Sequence, residues 1–326
     1  MSFRMIEVTA DDDGQRLDRW LKKTVPDVPY VLLQKLIRKG ALRVDGKRVK
    51  TDIRLSEGQA VKIPAAVQGA KSLDRKVEKL NDKDVAFVKS LIIYQDEDII
   101  AINKPSGLAV QGGTNTTQHL DRLLSGLADD EGVNPRLVHR LDKDTSGVLI
   151  LARSAKVAKA MGAIFKGQKI KKTYVALCHG VPEMAEGTIK APLIKAGGLN
   201  RERMVVDEEE GKFAATDYVV IDRAGDQVSF ISFSPLTGRT HQIRVHAELA
   251  GFPIIGDHKY RGEGHEAPDV EMSERLHLHA YRLVFDHPMK AQTMDIVAQI
   301  PKALRKSWSS LGFDPHLKHD PFEEMG

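Results

Sequence analysis

The stretch from Val138 to Ala152 constrains the fold more than any other part of the chain. Its second half, Val148 to Ala152, is continuously apolar, which is typical of a strand buried on both faces. In the extended run before it, Arg140 and Asp142 are expected on one side, because side chains alternate along a strand. Thr145-Ser146-Gly147 predicts a tight turn between the two halves. A carboxylate at the edge of the core beside an arginine suits a nucleophile or base, although a structural ion pair explains the same spacing.

The amino-acid composition limits which classes of protein this chain can belong to. The 326 residues are 41% hydrophobic and 29% charged, which predicts an ordinary globular protein with one large domain and a small one. The single Cys178 fits a reducing cytoplasm, and we expect no membrane segment. Residues 1–65 carry a net charge of +5 and the remainder −1, which favours a nucleic acid over a membrane as partner. A merely solvated basic face is the alternative.

Residues 1–65 predict a small RNA-binding module. Apolar spacing indicates a helix over 12–23 and a second from Pro29 to Gly40. An Asp45-Gly46 turn predicts a hairpin within 42–49, and a closing strand follows over 60–63. The basic residues of the second helix and the hairpin are expected to bind RNA phosphates without reading sequence. These residues are Lys35, Arg38, Lys39, Arg43, Lys47 and Arg48.

Residues 66–90 are small, polar or of balanced charge, and predict a partly helical linker. The body, 91–326, contains many short apolar runs and few helices between them. These predict an α+β domain with a mixed, mainly antiparallel sheet, preceded by the small α/β module. Ser154 is expected to cap a helix, and separate strands are predicted over 276–278 and 283–285.

Arg244 is the most informative residue of a predicted helix over 241–249. Gln242 and His246 share one face of this helix, whereas Arg244 lies on another, between apolar neighbours. We expect its guanidinium to form a bidentate pair with Asp142, although an isolated arginine is more often a structural anchor.

Six phrases, in order, cover nearly all of the body. They read "NKPSGLAVQGG", "VHRLDKDTSGVLILARS", "KKTYVAL", "GKFAAT", "PLTGRTHQIRVHAELAGFPIIGD" and "LHLHAYRLVFDHP". On these phrases the chain resembles the RluA family of pseudouridine synthases, and most closely its RluC type, which modifies large-subunit ribosomal RNA. The phrase "LIRKGALRVDGKRVK" resembles the small RNA-binding module of a small-subunit ribosomal protein, the S-four module.

The resemblance implies a role for five residues. Asp142 matches the catalytic aspartate, and Arg244 the arginine that pairs with it. Arg140 matches the arginine that fills the space left when the target uridine leaves the stack. Tyr174 matches the tyrosine whose ring lies against the uracil, and Leu278 is expected to form the apolar wall opposite that ring.

The resemblance further implies isomerisation of uridine to pseudouridine, with large-subunit (23S) ribosomal RNA as the expected substrate. No metal, nucleotide or other cofactor is expected, and we expect a cytoplasmic monomer. The aspartate could attack the sugar, attack the base or remove a sugar proton, and the sequence leaves these open. Asp144 is assigned to the turn. The chain departs from the pattern at Gln111, where relatives often carry histidine; we expect an effect on access or RNA contact there.

Three other functions fit the sequence less well. The histidines of the body would suit a metal hydrolase, but no HExxH motif occurs. Cys178 and His179 are adjacent in a predicted strand and so face opposite sides, which disfavours a cysteine hydrolase. A non-catalytic RNA-binding factor for ribosome assembly could use the same scaffold. Such a factor is expected to have lost the aspartate or the tyrosine, and both are present.

Overall fold

Two units divide the chain in a computed structural model, Met1–Lys79 and Leu80–Gly326. The structure describes residues 3–25, 28, 30–64, 80–112, 119–167, 169–196, 203–262, 270–317 and 319–323. Among the described residues, no helix has the length and apolar character needed to cross a membrane.

The first unit combines two helices with a three-stranded antiparallel sheet of order β1-β3-β2. The elements are β1 (Phe3–Glu7), α1 (Leu17–Thr24), α2 (Tyr30–Arg38), β2 (Arg43–Val44) and β3 (Ala60–Pro64). Apolar side chains of α1 and α2, including Trp20 and Leu33, are buried against Val61 and Ile63 of β3. Asp45 and Gly46 both have positive φ, 48° and 75°, which confirms the predicted turn. The strand β1 was not predicted.

The second unit contains the remaining elements. Its helices are α3 (Asp82–Ser90), α4 (Leu120–Leu123), α5 (Ala155–Lys166), α6 (Gln242–Leu249) and α7 (Lys302–Ser310). Its strands are β4 (Ile92–Gln95), β5 (Ile99–Lys104), β6 (Arg136–Leu137), β7 (Ser146–Ala152), β8 (Ile170–His179), β9 (Glu186–Lys190), β10 (Leu193–Ala196), β11 (Arg203–Val206), β12 (Ala215–Ala224), β13 (Val228–Pro235), β14 (Leu278–Asp286) and β15 (Thr293–Val297).

Ten of these strands form one sheet, and β10 and β11 form a separate pair. The main path runs β4-β5-β7-β14-β8-β13-β12-β9, with β15 beside β14 and β6 beside β7. Among the described strands, only β7 and β14 pair in parallel. The expected α+β class, with a mixed and mainly antiparallel sheet, is confirmed.

Strand β7 is buried on both faces of the sheet, as predicted. Every residue from Ser146 to Ala152 is buried. Val148 and Ile150 pack with α5 on one face of the sheet. Leu149 and Leu151 pack on the other face, with apolar side chains of α3 and α4. Burial on both faces explains why this run has no polar residue after Ser146.

Three local predictions need correction. Val138–Asp142 do not form a strand, because β6 ends at Leu137 and a loop follows. Gly147 lies within β7 rather than in a turn. Its φ is 120°, and a Cβ there would overlap the backbone of Ala280 on the adjacent strand, so glycine is needed for close approach. The two strands predicted over 276–278 and 283–285 are replaced by one strand, β14, which begins only at Leu278 and has a bulge between Ala280 and Arg282.

The predicted linker, 66–90, is described only in its second part, since residues 65–79 lie outside the described residues. Residues 82–90 form α3, whose Val88 is buried against residues of the second unit. The Asn81 side chain accepts a hydrogen bond from the Asp84 N–H and caps this helix. The Ser154 cap of α5 is likewise confirmed, by a 3.2 Å bond from the Val157 N–H.

Candidate active site

Asp142 lies in the loop between β6 and β7, and buried neighbours fix that loop. Leu141 is buried in the core cluster beneath the loop. The His139 ring stacks on Phe165 at 4.4 Å, and its Nε2 accepts the Ile150 N–H at 2.8 Å. Burial, with help from the charge of Lys172, lowers the pKa of His139 to about 3, so the ring is neutral and can accept that bond.

Lys104 supports the same loop from inside the protein. The side chain is fully buried at the end of β5. Its Nζ donates to the carbonyl oxygens of Pro105 and Leu108, both at 2.9 Å, and of Lys143 at 3.0 Å. Burial lowers the pKa of Lys104 to about 7, against the opposing charges of Asp144 and Asp142. The ammonium thus ties the residue after Asp142 to the neighbouring loop.

The Asp142 carboxylate faces a cavity and two nitrogen atoms. Its side chain is 28% exposed. Oδ2 lies 3.9 Å from Arg244 Nη1 and 3.8 Å from His241 Nε2. Within the described part of the chain, no nitrogen is recorded within hydrogen-bonding distance of this carboxylate. The group therefore has nearby positive charge without being locked into a short ion pair.

The expected bidentate pair between Arg244 and Asp142 is wrong, because the bidentate partner is Asp257. Arg244 Nε and Nη2 donate to the two oxygens of Asp257 at 2.6 and 2.7 Å. Asp257 is completely buried and also accepts the backbone N–H groups of Lys259 and Tyr260. A buried guanidinium needs a carboxylate to compensate its charge, and Asp142, at the cavity, is only partly buried. Arg244 therefore presents its third nitrogen to Asp142 from a fixed position.

All five predicted site residues line one cavity of about 550 Å³. They are Arg140, Asp142, Tyr174, Arg244 and Leu278. Tyr174 pairs with Ala280 across β8 and β14, and Leu278 lies two residues earlier on β14. Burial and the charge of Asp142 raise the pKa of Tyr174, so its phenol is neutral. Arg140 is exposed, and its Nη2 lies 3.4 Å from Thr240 Oγ1. The cavity combines one carboxylate with an aromatic ring and an apolar wall, which suits a planar base beside a reacting acid.

Gln242 and His246 lie on one face of helix α6, as their spacing predicted, and this face binds the helix to β12. Gln242 Nε2 and His246 Nδ1 both lie 2.9 Å from Thr216 Oγ1 on β12. The preceding residue, His241, has a left-handed backbone with φ 53°, and its side chain lines the cavity. These contacts fix both Arg244 and His241 relative to the sheet.

Sequence reasoning missed Lys104, Asp257, Tyr260 and the site role of His241. The signal for Asp257 was present, since an acid directly follows the apolar run Phe252–Gly256. The position of His241 beside Asp142 depends on its left-handed backbone, which no local pattern reveals. Gln111 is exposed, next to residues outside the described ranges.

Several histidines considered as metal ligands have structural partners, whereas His265 lies outside the described residues. His277 bonds Ser307 Oγ and the Ile255 carbonyl oxygen, and His279 bonds Ser146 Oγ and the Ala298 carbonyl oxygen. In the described ranges, one group of side chains has ligand atoms close enough together to hold a metal ion. It consists of Asp96, Asp98 and His287, and none of these residues lines the cavity. Asp96 already accepts the Asp98 and Ile99 N–H groups.

In the first unit, the six predicted RNA-binding residues are all exposed. Arg43 donates to the carbonyl oxygens of Gly40 and Gly46, and the Arg48 side chain lies against Gly40. Gly40 follows α2, so the hairpin cations lie next to the end of that helix.

Comparison with known proteins identifies the family. A family model described as RNA pseudouridylate synthase matches residues 98–249. A ribosomal large subunit pseudouridine synthase C of Salmonella typhimurium is 36% identical over 311 residues, which cover 94% of this chain and 95% of that protein. The protein of the same name from Escherichia coli K12 is 35% identical over 316 residues, with 95% and 97% coverage.

Two solved human structures are also similar. RNA Pseudouridylate Synthase Domain Containing 4 is 27% identical with a TM-score of 0.58, and the alignment covers 71% of this chain and 97% of the human chain. RNA Pseudouridylate Synthase Domain Containing 1 has 26% identity and a TM-score of 0.52, with 70% and 96% coverage. The resemblance found in the sequence motifs is thus confirmed over almost the full chain, which belongs to the pseudouridine synthase family and is an RNA-modifying isomerase.

Proposed function

We propose that this enzyme converts specific uridines of large-subunit ribosomal RNA to pseudouridine, and that Asp142 is its essential reacting group. The observation that carries the proposal is the position of the Asp142 carboxylate in a cavity lined by Tyr174 and Leu278. The ribosomal substrate is supported by the names of relatives that match over nearly their whole length.

The reaction breaks the glycosidic bond, turns the uracil and rejoins it to the ribose through carbon. It needs no external group, so the site must extrude the base, exclude water and hold the detached uracil close to its ribose. Tyr174 supplies a ring face for the base, and Leu278 the apolar wall. Arg244 Nη1, 3.9 Å from Oδ2, places a positive charge beside the Asp142 carboxylate in a cavity from which the bound nucleotide displaces water. Arg140, exposed at the rim, fills the gap left in the RNA helix.

The first unit would bind RNA through phosphate contacts. Lys35, Arg38 and Lys39 lie at the end of α2, and Arg43, Lys47 and Arg48 belong to the adjacent hairpin. Clustered exposed cations without base-reading geometry give affinity that depends on salt more than on sequence. A cytoplasmic location and a monomeric state stay predictions, and light scattering on the purified protein checks the second.

Pseudouridine mapping across ribosomal RNA tests the proposal. RNA from cells with and without the gene is compared, and the deleted strain is complemented with the wild-type protein or with Asp142→Asn. We expect particular large-subunit uridines to lose modification on deletion and to regain it only with the wild type. An unchanged map would refute the ribosomal substrate. Full rescue of a ribosome-assembly defect by Asp142→Asn would favour the non-catalytic role instead.

A further inference from the structure

Two side chains place a nitrogen atom within 4 Å of the Asp142 carboxylate. Both nearby nitrogens, Arg244 Nη1 and His241 Nε2, approach Oδ2. Both nitrogens belong to groups that other residues hold, since His241 Nδ1 lies 2.8 Å from the Tyr260 hydroxyl and Arg244 is bound by Asp257, so their positions beside the carboxylate are fixed.

The hydrogen bonds of Tyr260 determine which nitrogen of His241 carries the proton. The phenol oxygen of Tyr260 accepts the Met204 N–H at 2.8 Å and lies 2.8 Å from His241 Nδ1. Tyr260 is fully buried, so its O–H requires an acceptor. A neutral imidazole with the proton on Nε2 offers Nδ1 as that acceptor, whereas a proton on Nδ1 would leave the phenol hydrogen with no partner recorded among the described residues.

The state of both groups agrees with this assignment. Burial raises the pKa of Tyr260, which keeps the phenol protonated as a donor. Burial also lowers the pKa of His241, against the opposing charge of Asp142 and with the help of Arg244 and Lys259, so the ring is neutral. The left-handed backbone of His241 is a conformation that few residues with side chains adopt, and such outliers concentrate at functional sites.

We propose that His241 is a positioning residue: Tyr260 holds it with the proton on Nε2, so that its Nε2–H and the Arg244 guanidinium both face Asp142 and orient the carboxylate toward the nucleotide. The inference rests on the proposed role of Asp142. It assigns a function to the chain of contacts from the Met204 N–H through Tyr260 and His241 to the carboxylate. Tyr260 and His241 position the aspartate without entering the chemistry.

Tyr260→Phe tests the inference in the full-length enzyme, because it removes only the hydroxyl. Tyr218→Phe is the matched control, since the Tyr218 hydroxyl bonds the Met184 carbonyl oxygen at 3.5 Å, its sole partner among the described residues, and Tyr218 does not line the cavity. The measurements are the single-turnover rate of pseudouridine formation at saturating RNA, RNA affinity and the melting temperature. We expect Tyr260→Phe to slow the reaction about tenfold or more with affinity changed by less than about threefold, and Tyr218→Phe to match the wild type.

Nitrogen-15 NMR of histidine-labelled protein gives a readout that a purely structural role would not move. We expect wild-type His241 to carry its proton on Nε2, and Tyr260→Phe to move part of the population to Nδ1. A wild-type proton on Nδ1 overturns the inference, as does a Tyr260→Phe rate within about twofold of the wild type. If Tyr260→Phe does not fold, the position of the His241 proton in the wild-type protein is the measurement that tests the inference. If Asp142→Asn is inactive while Tyr260→Phe reacts as fast as the wild type, this inference is wrong and the proposed function still stands.

Discussion

Arg244 is bound by Asp257 through two hydrogen bonds of 2.6 and 2.7 Å, so the guanidinium is already oriented before any substrate arrives. The remaining nitrogen then faces Asp142 at 3.9 Å. Fixing a charge in advance is more effective in catalysis than reorienting it during the reaction. The buried Asp257 therefore fixes the arginine that faces Asp142, the proposed reacting acid.

Asp257→Asn should lower both stability and activity. Asparagine removes the charge that compensates a buried guanidinium, and we expect a loss of about 2 kcal/mol or more in the free energy of unfolding. The single-turnover rate should fall at least about tenfold, because Arg244 loses its fixed orientation.

Asp295→Asn is the matched control for that change. Asp295 also forms a bidentate pair, with Arg282 at 2.7 Å for both bonds, but its side chain is 47% exposed. Neither partner lines the cavity. We expect a loss of at most about 1 kcal/mol and an unchanged rate. Equal effects of the two substitutions on rate would contradict a role for Asp257 in the site.

Tyr174 should act through its ring. Tyr174→Leu is expected to reduce the single-turnover rate by about 10- to 100-fold, since stacking of an aromatic side chain on a base contributes about 1–3 kcal/mol. Tyr174→Phe keeps the ring and should retain more of the rate. Quench-flow measurements on both variants make the comparison, and a phenylalanine variant as slow as the leucine variant would move the role from the ring to the hydroxyl.

Stability should fall on mild acidification because of buried histidines. Burial lowers the pKa of His279 to about 4 in the folded protein, below the usual 6.5. Between these values the unfolded chain binds more protons than the folded one, so stability falls as the pH drops from about 6.5 to about 4. For this histidine the loss is on the order of 3 kcal/mol.

Urea denaturation at several pH values measures this effect. His279→Asn should have lower stability at pH 7, because Ser146 and Ala298 lose a partner, and a smaller further loss on acidification. His316→Asn, at an exposed position, is the control and should follow the wild type. The pH dependence assigned to His279 is incorrect if His279→Asn loses as much stability on acidification as the wild type.

The salt dependence of RNA binding should depend on the first unit. Replacing Lys39, Lys47 and Arg48 by alanine should reduce the slope of log affinity against log salt by up to about 2, because each neutralised phosphate of a single strand contributes about 0.7 to that slope. Three exposed cations on β1 and α1, Arg4, Arg19 and Lys22, form the control set. Filter binding from low to high salt compares the two. A slope unchanged by the first substitution would count against this surface as the site of phosphate binding.

The sequence predicted the elements whose signals are local. The buried strand β7, the Ser154 cap and the Asp45-Gly46 turn depend on patterns within a few residues, and all three are confirmed. The partner of Arg244 could not be read in this way, since two acids were possible and only burial separates them. Asp257 is inside and Asp142 at the cavity, a difference fixed by tertiary packing.

The Gly147 interpretation failed for a related reason. Glycine after threonine and serine is typical of a turn, but here the residue is needed because β14 passes too close for a side chain. That contact joins residues far apart in the sequence. The five residues around the cavity were identified through family motifs, which carry tertiary information that the spacing of single residues does not.

Pseudouridine formation by purified Asp142→Asn is the most direct measurement of the central claim. The control is Asp144→Asn, because Asp144 is an exposed acid two residues along the same loop and does not line the cavity. Asp142→Asn should give no detectable pseudouridine in a single-turnover assay while binding RNA within a few fold of the wild type, and Asp144→Asn should stay active. Sustained conversion of uridine by Asp142→Asn would contradict the account.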